Sequence, residues 1–303
     1  MRRFLTSLLS CFLAVSSALA QTEPLKTTES GGRYTQHVNI ENDARIQEAI
    51  NEIYSRWGVR VSVTEKQKTL IKFGRCDNVT TATTGTTIWQ TCTDQAHETY
   101  AAANTNPIDR LSSSSASDTG SVTIEGHSES GGNKTFSTQT ITLAGQTPVP
   151  IPTPLNRLTR LFNAGSSNFV GTVYGYEAGT VSAGKPTSTT TIHISAPAGF
   201  HNQSFKASTS LSSTDYWIIT GFYADVLSKT SAYADVSLQI RESGKVFRTA
   251  ATISAADSHQ GKFIGEPYAA IAPANSDVRL VGIGGATISV SGGIEGYLAS
   301  VVQ

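Results

Sequence analysis

Past Gly58 the chain alternates apolar and polar residues in run after run. VRVSVTEKQ, KTLIKFG, GSVTIEGHS, TFSTQTITLAG, FVGTVYGYEAG, TTTIHISA, DYWIITGFYADVL, AYADVSLQIRE, KVFRTAATIS, SDVRLVGIG and ATISVSGGIEGYLAS all follow this rule, and Gly, Pro, Asn or Ser turns bound them. In an extended chain that period puts every second side chain on one face, so the runs predict half-buried β-strands. Strands at such spacing build sandwiches or barrels. The segment GQTPVPIPTPLNR at 145–157 cannot be a central strand, because proline has no N–H to donate to a ladder. EAGTVSAGKPTS at 177–188 is a second turn-rich break. A boundary is therefore expected near residue 180, with a first β domain over 59–180 and a second β-sandwich domain over 181–303.

Before Gly58 the period changes. In NDARIQEAINEIYSRWG, Asn42 or Asp43 can cap a helix, Ile46, Ile50, Ile53, Tyr54 and Trp57 fall at helical spacing, and Gly58 stops it. Such a stripe suits docking on a sheet or on a neighbouring copy. The expected fold class is mainly β, two β-sandwich (jelly-roll-like) domains preceded by one N-terminal amphipathic helix over 42–58.

The first residues read as an address. MRRFLTSLLSCFLAVSSALAQ has Arg2 and Arg3, an apolar run from Phe4 to about Val15, and the small-residue ending Ala18-Leu19-Ala20. This is the pattern of a secretory signal peptide over 1–20, cleaved after Ala20. Residues 21–41 are then a polar tether.

Cleavage removes Cys11, leaving Cys76 and Cys92 of the three cysteines in 303 residues. They flank a stretch of threonine, glycine and small polar residues, GRCDNVTTATTGTTIWQTCTD. In an oxidising compartment an isolated pair spaced this way is a disulfide closing a loop of about 15 residues, worth roughly 3 kcal/mol. No second CxxC or HxxxH pair accompanies them to make a zinc site.

Charge narrows the partners. The formal net charge is zero, and losing Arg2 and Arg3 leaves 21 basic against 23 acidic residues, with no basic stripe for nucleic acid. No membrane partner is expected once the signal is removed.

Candidate chemistry is sparse. GTVSAGK at 179–185 matches the glycine and lysine spacing of a phosphate-binding loop, but Pro186 stands where the Ser or Thr should reach magnesium, and a β-run follows instead of a helix. Glu125, His127 and Glu129 project from one face of a strand and are the weak metal candidates. They run into the turn SESGGNK, so a solvated strand end is the reading preferred. His193 and His201 flank SAPAGF with no adjacent nucleophile, and no GxSxG, HExxH or EF-hand pattern occurs. No cofactor and no enzyme activity are expected. Tyr216, Trp217, Phe222, Tyr223 and Tyr233 on the later strands could form a ligand patch, although such residues more often fill a sandwich core.

The order of the pieces carries further information. KFGRCDNVTTATTGTTIWQ, the segment from RLSSSSASDTGSVTIEGHS to TLAGQTPVPIP, RLTRLFNAGSSNFVGTVYGYEAG, and finally DYWIITGFYADV, VSLQIRESGKVFR and SGGIEGYLAS together resemble virion structural proteins of tailed, often marine, bacteriophages. The resemblance runs from about Lys72 to the C-terminus on turn and strand patterns. It implies a noncatalytic capsid- or tail-decorating protein that partners other virion proteins or itself as a homo-oligomer. A host-surface glycan or receptor would be a further ligand. The signal peptide and the two cysteines depart from that pattern. They point to the alternative, a secreted or cell-surface bacterial β-sandwich binding protein. The expected location is accordingly the virion or the extracellular space.

Overall fold

A computed structural model describes residues 28–30, 33–35, 68–98, 107–227, 232–256, 261–264 and 270–300. The chain forms two compact units, Met1–Val59 and Arg60–Gln303. In the first, Thr28–Ser30 pairs antiparallel with Arg33–Thr35, so the expected tether contains a short strand pair. The predicted signal peptide and the helix predicted over 42–58 lie outside the described residues.

The second unit is built of antiparallel β-sheets, as the alternation predicts, with only two short 3-10 turns among the described residues. Among the described residues, two large hydrophobic cores organise it, with a small cluster of Tyr174, Tyr176 and Ile192 beside them. One lies between a four-stranded sheet, in the spatial order Val149–Leu155, Ile108–Ser113, Val173–Glu177, Ile192–Ala196, and a three-stranded sheet made of Asn133–Thr142, Ser121–Ser130 and Arg157–Asn163. Ile108, Leu111, Ile124, Leu158, Leu161 and Val173 fill it, every one fully buried. All of its strands fall within residues 107–204; we call this the inserted sandwich. The proline-rich Val149–Leu155 is a strand on the sheet edge, where its missing N–H groups break no central ladder.

The second core joins chain segments from both sides of that insertion. One of its sheets runs from Lys68–Val79 through Ile288–Ser300 to Asp215–Leu227, with Gly261–Ile264 and Ala270–Ala272 on the far edge. The other centres on Asp277–Gly284, flanked by Tyr233–Arg241 on one side and by Ser208–Ser210 and Thr86–Thr87 on the other, with Arg248–Ala256 outermost. Cys76, Trp89, Trp217, Phe222, Leu238, Leu280 and Ile294 pack between the two sheets. We call this the terminal sandwich.

The boundary expected near residue 180 falls between Val173–Glu177 and Ile192–Ala196, two strands that pair with each other. The two cores are thus divided elsewhere. The strand Lys68–Val79, expected in the first β domain, pairs along its length with Ile288–Ser300, satisfying the backbone groups on the edge of that last strand that Asp215–Leu227 leaves open.

The disulfide is present. Cys76 and Cys92 are bonded with a Cα–Cα distance of 5.6 Å. The expected loop is more structured than its composition suggests: Cys76 sits within the strand Lys68–Val79 and Cys92 on the 3-10 turn Gln90–Thr93. Between them the chain crosses from one sheet of the terminal sandwich to the other, where Thr86–Thr87 pairs with Val281 and Gly282. The bond therefore pins a crossover between sheets.

Candidate functional site: a charged seam between the sandwiches

The strand Arg157–Asn163 is an edge of its three-stranded sheet, and an edge strand has backbone groups left to satisfy. Side chains of the terminal sandwich and of the segment before it do so. Lys72 Nζ donates to the Thr159 carbonyl at 2.9 Å. Lys206 Nζ donates to the carbonyls of Leu158 and His193, the second at 3.1 Å, and to Glu98 Oε1 at 2.5 Å. Ser204 Oγ accepts from the Leu161 amide at 3.0 Å. Glu98 also accepts from Ser208 Oγ at 3.2 Å, so the buried Lys206 ammonium has a carboxylate that is itself held in place. Burial draws the Lys72 pKa down to about 8, against the opposing pull of Glu125. Burial lowers Lys206 too, although Glu98 resists.

A second group of charges gathers around Asp277. The hairpin of Ser121–Ser130 and Asn133–Thr142 turns at Gly131 and Gly132, both with positive φ (59° and 82°), and its tip projects onto the terminal sandwich. Lys134, just past the turn, donates its amide to Asn275 Oδ1 at 3.0 Å, and its Nζ to the Asn275 carbonyl at 2.8 Å and to Asp277 Oδ1 at 2.7 Å. Asp277 also accepts from Ser210 Oγ at 2.5 Å and from Arg241 Nη2 at 2.6 Å, and Arg157 Nε lies 3.6 Å from its Oδ1. One carboxylate, 1% exposed, thus faces three cations. Burial by itself would push the Asp277 pKa up, but Lys134, Arg157 and Arg241 outweigh it and hold the carboxyl below the usual carboxylate range. Burial lowers Lys134, against the raising effect of Asp277.

This seam is where the sequence-predicted metal candidates fall, and their environment differs from the expected solvated strand end. His127 is only 3% exposed, and its ring meets Phe136 edge-on with centroids 5.4 Å apart. Burial, with Lys134 and Lys72 nearby, lowers its pKa to about 4, so it is neutral at physiological pH. Glu129, its side chain 8% exposed, lies 3.8 Å from Arg157, while Glu125 lies 3.8 Å from Arg160. The three share a face, but His127 is buried there and the two carboxylates look at Arg157 and Arg160 of the adjacent strand. Among the described residues no group of three metal-ligating side chains forms.

The predicted aromatic patch is not brought together. Trp217 and Phe222 are fully buried in the terminal core. Tyr216 and Tyr223 are half-buried, and Tyr223 lies over Gly293 on the opposite face of the sheet, where a Cβ at Gly293 would meet its ring at 2.7 Å. Tyr233 is 55% exposed on a strand of the other sheet, against Gly285. His193 pairs with Glu177 at 2.9 Å, away from any nucleophile arrangement. The 179–185 segment forms two short paired strands, Val181–Ser182 and Lys185–Pro186, and Lys185 pairs with Asp94 at 2.9 Å.

A recess opens on the seam beside Asp277. Its volume is about 180 Å³, and Lys134, Arg157, Arg241, Lys245, Glu129 and Asp277 supply the charged part of its wall. The turn after Tyr233–Arg241 adds Ser243, and this turn is closed by the Lys245 amide donating to the Glu242 carbonyl at 3.0 Å. Arg241 also stacks on the Phe247 ring at 4.7 Å, with Arg279 on the same ring at 3.8 Å. Sequence reading missed Lys134, Arg157, Arg241 and Asp277, because each stands singly in a strand or turn with no spacing to mark it.

No family model matches the chain. No curated protein matches it either. Among solved structures it is similar to that of infectious bursal disease virus Gt strain, at 9% identity over 82% of this chain and 77% of that chain, with a TM-score of 0.18. The VP2 subviral particle of infectious bursal disease virus gives 10% identity over 83% and 77%, with a TM-score of 0.19. No helix among the described residues is long and apolar enough to cross a membrane.

Proposed function

We propose that the protein is a noncatalytic structural protein of a virion, decorating a capsid or tail through contacts with other virion proteins or with its own copies. The observation that supports this reading most is the use made of buried charge. Lys72, Lys134, Arg157, Lys206, Glu98 and Asp277 are all buried where the two sandwiches meet, and every one is spent on a neighbour across or along that junction. Such an arrangement fixes two β-bodies as one block, which suits a part that must keep its shape under load. The resemblance of its turn and strand motifs to those of tailed-phage virion proteins supports a particle of that kind.

The test is to purify particles from a producing culture, probe them with an antibody against this chain by immunogold negative-stain imaging, and analyse them by mass spectrometry. Stoichiometric protein at regular positions on the particle is the expected result. Protein found free in the medium, with none on particles, would overturn the reading in favour of a secreted binding protein.

A further inference from the structure

The outward N–H and C=O groups of an edge strand are covered, blocked or left open to another chain. The inserted sandwich treats its edges unequally. Arg157–Asn163 is covered by Lys72, Ser204 and Lys206. Val149–Leu155 carries Pro150, Pro152 and Pro154, which have no N–H to offer. The Gln139 side-chain amide also occupies the Thr153 N–H and carbonyl, at 2.9 and 2.8 Å. A third edge, Asn133–Thr142, carries no such device. Its register against Ser121–Ser130 runs without a bulge, and from Thr135 to Thr142 it holds neither a charge nor a proline.

The hydrogen-bond phase of the hairpin identifies the groups that face outward. The Leu143 amide donates across the hairpin to the Gly120 carbonyl. On the opposite side, the Lys134 amide donates to Asn275 Oδ1 at 3.0 Å and the Lys134 carbonyl accepts from the Ser213 amide at 2.9 Å. Inward and outward residues alternate in an antiparallel ladder. Phe136, Thr138, Thr140 and Thr142 therefore direct their backbone groups outward, as Lys134 does. Among the described residues these four backbones meet no partner. Their side chains are exposed too, Phe136 by 50%.

We propose that Asn133–Thr142 pairs antiparallel with the same strand of a second copy of this chain, about a two-fold axis at Gln139. In that register Phe136 meets Thr142 of the partner subunit and Thr138 meets Thr140 of the partner subunit, each pair exchanging two hydrogen bonds. This register employs all four open residues and leaves Lys134 on Asn275. Phenylalanine against threonine and threonine against threonine are favourable cross-strand pairs, and no like charges face each other on the two strands. A second copy brings a strand already held extended in its hairpin, whereas a free peptide would first have to be straightened. The pairing is a property of the chain itself and stands whether or not the protein belongs to a particle.

Sedimentation velocity of the whole chain over a concentration series tests it. One strand pair makes a small interface, so a reversible monomer–dimer equilibrium is expected. Thr138→Pro removes an outward donor from each copy and none of the bonds to Ser121–Ser130, and should weaken dimerisation roughly ten-fold or more. Thr138→Lys keeps the backbone intact and sets two ammonium groups diagonally across the axis, so this chain alone should be monomeric. Thr140→Glu alone should be monomeric for the same reason. Mixing the Thr138→Lys and Thr140→Glu chains should restore a dimer, because position 138 faces position 140 of the other copy. A chain monomeric at every concentration, a dimer unaltered by both Thr138 substitutions, or a mixture that stays monomeric would overturn the proposal.

Discussion

The two sandwiches of this chain are made of similar strands but assembled in different ways. The inserted one closes within a continuous stretch, 107–204, and its strands find partners nearby in sequence. The terminal one must bring Lys68–Val79 against Ile288–Ser300 across the whole insertion. Only the terminal one carries a disulfide, at the crossover between its sheets. Long-range closure has a larger entropic cost than local pairing, and the covalent link acts on a different term, lowering the chain entropy of the local crossover that it closes. The junction differs from both cores, since ionic groups replace the aliphatic packing found on either side. A junction of this type stands or falls on complete pairing.

The largest effects should come from breaking that pairing. Asp277→Ala leaves Lys134 and Arg157 buried beside each other without their carboxylate, and Lys206→Ala does the converse to Glu98. Each should lower stability by roughly 3–5 kcal/mol in urea denaturation. A loss under about 1 kcal/mol would mean that the junction is wet and weak. The disulfide tests the terminal sandwich alone: Cys76→Ser with Cys92→Ser should cost about 3 kcal/mol, with no further loss on adding reductant.

A pH series separates the two sides of the seam. His127 has a folded pKa of about 4 against 6.5 in the unfolded chain, so the unfolded state takes up its proton first as pH falls. Stability should therefore drop between pH 6.5 and about 4, by roughly 2–3 kcal/mol, and His127→Leu should flatten that slope. Asp277, whose folded pKa is depressed, contributes fully above the ordinary carboxylate range and is lost only below it, so the two contributions leave at different pH. Lys72 acts at the other end. Its folded pKa is about 8 against 10.5 unfolded, so its part of the stability rises as pH goes from 8 to 10.5.

The smallest effect sharpens the contrast between buried and exposed pairs. Lys185 meets Asp94 at 2.9 Å, close to the 2.7 Å between Lys134 and Asp277, but its side chain is 42% exposed. Lys185→Ala should cost less than about 1 kcal/mol by the same urea measurement. A cost equal to that of Lys206→Ala would show that burial is not what distinguishes the seam.

Most strands were legible in the sequence because the period-two pattern survives wherever one face is buried and the other wet. Cys76 and Cys92 were legible as a pair once Cys11 was assigned to the address, and the edge position of Val149–Leu155 follows from its prolines. The pattern fails where both faces of a strand are used. In KTLIKFG the apolar Ile71 and Phe73 are 59% and 37% exposed, while the polar Lys72 is 7% exposed, the reverse of what hydropathy assigns. The same reversal hid His127 and Lys134.

Residue order alone sets the local features: which residues extend, where they turn, and which two thiols can meet. These depend on backbone sterics, on the two-residue repeat of a strand, and on loop closure, all of which act over a few to a few dozen residues. That the first long strand belongs with the last, and that Lys134 meets an aspartate 143 residues away, emerges from how the chain packs. A polar residue on a strand looks the same in sequence whether water or another sheet covers it. The choice is made by which surfaces come together, and there a charge is stable only if a counter-charge or a hydrogen-bond acceptor is buried with it.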